Sequence, residues 1–240
     1  MARIFVSGVA GFLGSHLADA LIARGNKVIG VDNLIGGYRD NVNPEVEFHQ
    51  FDLLNREALV FALRGVNTVY HCAALPHEGL SVFAPHLVTQ NGLGITTALL
   101  SASVTNEVQR FVYCSSMARY GQQDVTPFTE DMIPNPRDPY GVDKLASEMQ
   151  VKCIAEAHGM EYTIAVPHNI IGARQKYDDP YRNVASIMVN RMLQGQQPII
   201  YGDGEQTRSF SPVEDIIPLL VKMGDSSEVV GQAINVGPDD

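Results

Sequence analysis

The chain has 240 residues, 45% hydrophobic and 18% charged, with a net charge of −10 at neutral pH. That length and apolar content suffice for one large α/β domain, or for one domain with a small lobe. The acidic balance argues against a general nucleic-acid binder, since no basic surplus exists to neutralise phosphates. An anionic small ligand, which needs only one or two local cations, is still admitted. No apolar run reaches the roughly 18 residues of a membrane-spanning helix, and nothing that reads as a secretory leader precedes Ile4. The cysteines, Cys72, Cys114 and Cys153, have no metal-ligand spacing, and their odd number suits no disulfide framework. They are expected to be buried, reduced thiols of a cytoplasmic protein.

In chain order, residues 4–7 form an apolar first strand. Residues 13–24 carry Leu13, Leu17, Ala20 and Leu21 on one helical face, and Gly25-Asn26 ends that helix. Residues 28–31 and 46–51 read as strands two and three. Asn55 is placed to cap a helix running to Leu63. Strand four follows at 68–71, then a long helix over about 85–103, strand five at 111–114, a second long helix at 140–158 and strand six at 162–166. Alternating strands and helices predict a doubly wound parallel α/β sheet, a Rossmann fold covered on both faces. Residues 1–168 are expected to form this dinucleotide-binding domain. Beyond 169 the alternation weakens, with helices at 184–193 and 216–223, and residues 169–240 are expected to form mostly a smaller, interleaved substrate lobe.

Between strand one and helix one stands Gly8-Val-Ala-Gly11-Phe12-Leu13-Gly14. Glycines there allow a phosphate to approach the backbone, and the helix N-terminus supplies free N–H groups and a favourable dipole. A glycine triplet is a weak signal alone; strand before, helix after and an acid ending strand two give it the context of a dinucleotide cradle. The acid is Asp32. A carboxylate there accepts hydrogen bonds from ribose hydroxyls and repels a 2′-phosphate, and Asn33 follows with no adjacent arginine. NAD is therefore expected over NADP. Asp52-Leu53 closes strand three where an adenine would be framed, and Ala73-Ala74 follows strand four, where small side chains admit a cofactor.

Tyr140 and Lys144 stand four residues apart, on one face of a helix that Pro139 introduces. A free tyrosine, with a pKa near 10, is a poor base at neutral pH. A neighbouring ammonium and a nicotinamide cation favour the phenolate. The glycine turn and this pair together point to hydride chemistry on a bound nicotinamide. Arg208, a planar fork for phosphate oxygens, and Asn169, just past strand six, are the candidates for a substrate diphosphate, with Arg174 and Arg182 behind them. The histidines have no metal spacing, and no metal is expected. His71 reads as a core or strand-end residue.

The glycine turn, Asp32, Asp52-Leu53, His71-Cys-Ala-Ala74, Asn91, Ser115-Ser116 and Tyr140-x-x-x-Lys144 resemble the extended short-chain dehydrogenase/reductase family. The nearer likeness is to NAD-dependent nucleotide-sugar epimerases of the UDP-glucose 4-epimerase type, and it includes Pro167-His-Asn169-Ile-Ile-Gly172, Gly202-Asp-Gly-Glu-Gln-Thr-Arg208 and Asn235-Val-Gly237. The resemblance implies Tyr140 as the base. It gives Lys144 a double role, holding the phenolate and the nicotinamide ribose, and it makes Ser116 the hydroxyl on the reacting sugar oxygen. Related dehydratases usually carry acids just after that serine; here Met117-Ala118-Arg119 follows, which favours simple oxidation and reduction at one carbon. The implied reaction is epimerisation at C4 of a UDP-hexose through a 4-keto sugar, with NAD regenerated. A homodimer formed through the two long helices is also implied; Leu93, Leu99, Leu100, Met149 and Ile154 are the apolar candidates for its interface. Family members usually continue past the position of Gly237 and supply a second diphosphate-binding arginine there, so this sequence is expected to be short at that end. Two other readings stay open: a one-way nucleotide-sugar reductase or dehydrogenase, and a non-catalytic NAD-binding protein.

Overall fold

The computed structural model describes residues 2–181, 183–200 and 202–238. Its strands are β1 (Arg3–Ser7), β2 (Lys27–Asp32), β3 (Glu47–Gln50), β4 (Thr68–His71), β5 (Arg110–Cys114), β6 (Glu161–Pro167), β7 (Ile170–Ile171), β8 (Ser211–Pro212) and β9 (Ala233–Val236). Its helices are α1 (Phe12–Ala23), α2 (Arg56–Ala62), α3 (Glu78–Ser81), α4 (Pro85–Thr89), α5 (Ile95–Thr105), α6 (Pro139–His158), α7 (Val184–Leu193) and α8 (Val213–Asp225). Seven strands make one parallel sheet in the order β3-β2-β1-β4-β5-β6-β9, and β7 pairs with β8 apart from it.

Alternation along each strand divides the core into two layers. Phe5, Ile29, Val69, Phe111 and Ile164 face the layer with Leu59 of α2, Leu99 of α5 and Val151 of α6. Ile4, Val6, Val28, Val112 and Ala165 face the layer with Leu17 and Leu21 of α1 and Ile216 and Leu220 of α8. Because both faces are covered, the central strands are apolar along their whole length rather than alternating with polar residues. The strand order reverses between β1 and β4, and there the carboxyl ends of the strands open a crevice.

The doubly wound parallel sheet matches the expectation, with several differences in its elements. The long helix expected over 85–103 runs without interruption from Pro85 to Thr105, with a wide-turn bulge over Gln90–Gly94 where α4 passes into α5. Gly92 and Gly94 lower helix propensity there, and wide turns of this kind often mark functional sites. A seventh strand, β9, returns the chain to the sheet edge beside β6. With α8 packed against α1, residues 213–236 join the sheet layers, while the described residues between β7 and β8 lie outside the seven-stranded sheet. Leu99 and Leu100, expected at an interface between subunits, are fully buried in the monomer core. Among the cysteines only Cys114 is fully buried; Cys72 is half-buried and Cys153 is exposed, because α6 turns it to the outer side.

Candidate active site

A cleft of about 1060 Å³, measured to its open mouth, lies at the carboxyl edge of the sheet. Gly8, Gly11, Phe12, Leu13, Gly14, Asp32, Asn33, Asp52, Leu53, Ala73, Ala74, Tyr140 and Lys144 all line it. Asn91, in the wide turn before α5, lines it as well.

The glycine turn puts backbone where side chains would otherwise stand. Gly8 has φ +70°, and a Cβ on it would lie 2.8 Å from the Ala73 Cα; one on Gly14 would lie 2.2 Å from the Gly8 carbonyl oxygen. α1 starts from Gly11 with no side chain capping its first N–H groups and no acid in its first turn. That exposed helix start suits a diphosphate. Asp32 ends β2 and is oriented by the backbone. Its Oδ2 accepts from Ala10 N–H at 3.0 Å and its Oδ1 from Leu34 N–H at 2.7 Å. Burial raises its pKa, and these backbone bonds oppose the rise. Gly11 N–H also bears on the carboxylate, and the two oxygens together still have acceptor capacity for a hydroxyl. Asn33 donates to Asp52 Oδ2 at 3.1 Å and ties the ends of β2 and β3 together. The residues therefore fit a dinucleotide with unphosphorylated ribose hydroxyls.

Under the cleft runs a chain of hydrogen bonds whose direction is fixed by counting donors. Ser7 Oγ accepts from Cys72 N–H at 3.1 Å and Ala73 N–H at 3.2 Å, so its own hydrogen goes to His71 Nδ1, 2.7 Å away. Thr96 donates to the Gly92 carbonyl at 2.9 Å and therefore accepts from His71 Nε2–H, also at 2.9 Å. His71 is thus the neutral Nε2–H tautomer. Burial, with a smaller contribution from the nearby Lys144 charge, lowers its pKa to about 3. The chain joins β1, β4 and the wide turn beneath Ala73 and Asn91.

α6 brings Tyr140 and Lys144 to the cleft. Asp138 caps it, accepting from Gly141 N–H at 2.9 Å, and Pro139 takes the first helical position. Tyr140 and Lys144 are both buried on one face of the helix. Lys144 Nζ donates to the Cys114 carbonyl at 2.8 Å and lies 5.8 Å from the Tyr140 ring centroid. Burial lowers its pKa to about 8, while the surrounding acidic groups push the other way; at neutral pH it is mostly charged. Glu148, one turn further along α6, accepts from the Ser115 hydroxyl and pairs with Arg119 at 3.2 Å. Burial raises its pKa. Glu148 thereby holds the segment that carries Ser115, Ser116 and the turn Met117–Arg119 against α6. The i+4 spacing from Lys144 was the signal by which the sequence could have revealed it. Ser116 is half-buried and its Oγ accepts from Ala118 N–H at 3.2 Å. Ser115, not Ser116, is among the residues lining the cleft.

The expected substrate residues lie in the lobe. Asn169 has φ +32° and donates to the Ser209 carbonyl at 3.1 Å, which tethers the segment before β8 to the end of β6. Arg208 is on that segment, exposed, bonded to the Thr207 carbonyl at 2.6 Å, and its charge acts on Glu78 and His168. Neither residue lines the dinucleotide cleft. Arg174 pairs with Asp19 of α1 at 2.7 Å instead of facing a ligand, and Arg182 lies outside the described residues. Next to Arg174, Asp178 accepts from the Tyr38 hydroxyl at 2.6 Å and Tyr177 stacks on Tyr38. These contacts pack the lobe onto the loop whose Ile35 and Gly36 line the cleft. Among the described residues no cluster could hold a metal ion, and no helix is long and apolar enough to cross a membrane.

Comparison with known proteins gives concordant matches. Residues 4–237 match the NAD dependent epimerase/dehydratase family. The UDP-glucose 4-epimerase of Mycolicibacterium smegmatis is 31% identical over 98% of this chain and 77% of its own length. The structure of UDP-glucose 4-epimerase from Thermotoga maritima with UDP-glucose superposes with a TM-score of 0.92 at 32% identity, covering 98% of this chain and 76% of that one. That of UDP-glucuronic acid 4-epimerase from Bacillus cereus, in complex with UDP-glucuronic acid and NAD, gives 0.89 at 30% identity, covering 99% and 78%.

Proposed function

Because the chain belongs to the NAD dependent epimerase/dehydratase family, we propose that it is an NAD-dependent epimerase inverting C4 of a UDP-hexose through a transient 4-keto sugar. The observation that carries this reading is that Tyr140 and Lys144 line the same cleft as the glycine turn and Asp32. NAD bound there would supply reversible hydride acceptance at C4. The glycine turn and the start of α1 hold its diphosphate. Asp32 takes ribose hydroxyls, Asn33, Asp52 and Leu53 frame the adenosine, and Ala73 and Ala74 leave room for the rest.

The protein's own groups move the proton. The Tyr140 phenolate takes it from the C4 hydroxyl and returns it to the same oxygen after the 4-keto sugar has turned, so the enzyme ends each cycle in its starting protonation state. Lys144 keeps the phenolate accessible by its charge. One of its N–H groups is committed to Cys114, which leaves two for the nicotinamide ribose. The Ser116 hydroxyl, its oxygen already receiving Ala118 N–H, donates to the reacting sugar oxygen. Arg208 and Asn169 take the substrate diphosphate, with residues 1–168 as the cofactor-binding unit and the lobe after 169 as the substrate side. Met117-Ala118-Arg119 offers no carboxylate for elimination of water, which supports epimerisation over dehydration.

The assembly in this reading is a homodimer through α5 and α6. Met149 and Val142 are exposed on α6, while Leu93 and Ile154 are half-buried. The test of function is incubation with NAD and either UDP-glucose or UDP-N-acetylglucosamine, with the C4 epimers resolved by NMR. Appearance of the epimer of at least one substrate supports the reading. A substrate that is consumed to a product oxidised or dehydrated at C4 or C6, with no epimer, overturns it.

A further inference from the structure

Two thiols in the cleft wall take no part in the chemistry above. Cys72 directly follows β4 and Cys114 ends β5, and those strands pair in parallel with His71 opposite Tyr113. The cysteines therefore stand opposite each other. Both side chains fall on the α1/α8 face of the sheet. Their sulfurs are 3.6 Å apart, and both residues line the cleft. Neighbouring strands run about 4.8 Å apart, within the Cα separation of about 4.4–6.8 Å that a disulfide spans. To bond, the sulfurs must close from 3.6 Å to about 2.05 Å.

We propose that Cys72 and Cys114 form an oxidant-sensitive modification site, which hydrogen peroxide converts to an intramolecular disulfide in the wall of the cleft. Cys114 is the attacking sulfur. With the Cys72 thiol as donor in their shared hydrogen bond, the pKa of the Cys114 thiol is lowered, and the Lys144 ammonium, held on the Cys114 carbonyl at 2.8 Å, favours the thiolate at both sulfurs. The same hydrogen bond together with burial pushes the Cys72 thiol up. The Cys114 thiolate attacks one peroxide oxygen; the O–O bond breaks, hydroxide leaves and takes up a proton as water, and a sulfenic acid remains on Cys114. Cys72 sulfur then attacks the Cys114 sulfur, the S–O bond breaks, and a second water leaves with the Cys72 proton. Two thiols and one peroxide give one disulfide and two waters; the thiols lose two electrons and the peroxide gains them. A dithiol reductant reverses the bond by exchange. Oxidant reaches the pair through the cleft mouth, so a dinucleotide in the cleft shields it. This last clause rests on the cofactor reading above.

The test uses the full chain carrying Cys153→Ser, which removes the exposed competing thiol. The protein is exposed to hydrogen peroxide with and without saturating NAD, alkylated, digested without reductant and weighed by mass spectrometry. The expected result is a cross-linked peptide pair containing Cys72 and Cys114, lost on dithiothreitol treatment, absent from a Cys72→Ser control, and formed at least tenfold more slowly with NAD. Thiols that stay fully alkylatable, or that go separately to sulfinic acid with no cross-link, overturn the proposal. A cross-link that forms equally fast with NAD overturns the access route and counts against the cofactor's seat, while the disulfide site itself stands.

Discussion

In the proposed mechanism Tyr140 moves the proton and Asp32 selects the cofactor, so their variants should separate the two. Tyr140→Phe keeps the ring that packs at the start of α6 and deletes the hydroxyl. Activity should fall by well over tenfold, more than about 1.4 kcal/mol of barrier, with NAD still bound by calorimetry. Activity within tenfold of the parent would remove Tyr140 as the base. Asp32→Ala should narrow the preference for NAD over NADP by about tenfold, about 1.4 kcal/mol, because the repulsion of a 2′-phosphate goes with the carboxylate. An unchanged ratio of the two affinities would contradict that role. These residues were legible in the sequence because each belongs to a local pattern: a strand-end acid after a glycine turn, or a Tyr/Lys pair one helical turn apart. Ser7 and Thr96 were not, since their meaning lies in bonds to His71 across 64 and 25 positions. The opposition of Cys72 and Cys114 arises in the same way, from strand pairing that the sequence does not state.

At the scale of elements, the neutral His71 couples β1, β4 and the wide turn at Gln90–Gly94. Its pKa falls from 6.5 to about 3 in the fold. As pH drops through 6.5 the unfolded chain takes up a proton that the native chain refuses until about pH 3. Between those values the unfolded state binds more protons, so native stability falls as pH falls, by at most about 1.4 kcal/mol per pH unit from this group. Denaturant titrations of the parent and His71→Gln should show a steeper loss in the parent between about pH 6 and 4; parallel profiles would contradict the buried neutral imidazole. The turn itself was not foreseen. Periodicity over 85–103 reads as one helix, which it is, but the bulge within it lies where α6 packs closely: a Cβ on Gly92 would lie 2.7 Å from Asp143 Oδ2. β9 escaped notice for a simpler reason. Ala233–Val236 is four residues long, too short for alternation to stand out, and only its pairing with β6 makes it a strand.

For the whole molecule, the parallel sheet and its switch point followed from the alternation of strands and helices, whereas the lobe after 169 did not. Its placement depends on tertiary contacts such as Arg174 with Asp19 and Tyr38 with Asp178, which join segments far apart in sequence. The outer faces of α5 and α6 carry the proposed dimer contact. Light scattering at micromolar concentration should give twice the chain mass, and Met149→Glu, which places a charge on the exposed part of α6, should shift it toward the monomer. A monomeric parent would end that part of the account. The central claim is that one carbon gives up a hydride and receives it back within a single active site. UDP-hexose deuterated at C4 tests this most directly. The account predicts that the epimeric product keeps the deuterium at C4 and that no reduced cofactor accumulates; deuterium lost to solvent, or released stoichiometrically on the nicotinamide, would contradict it.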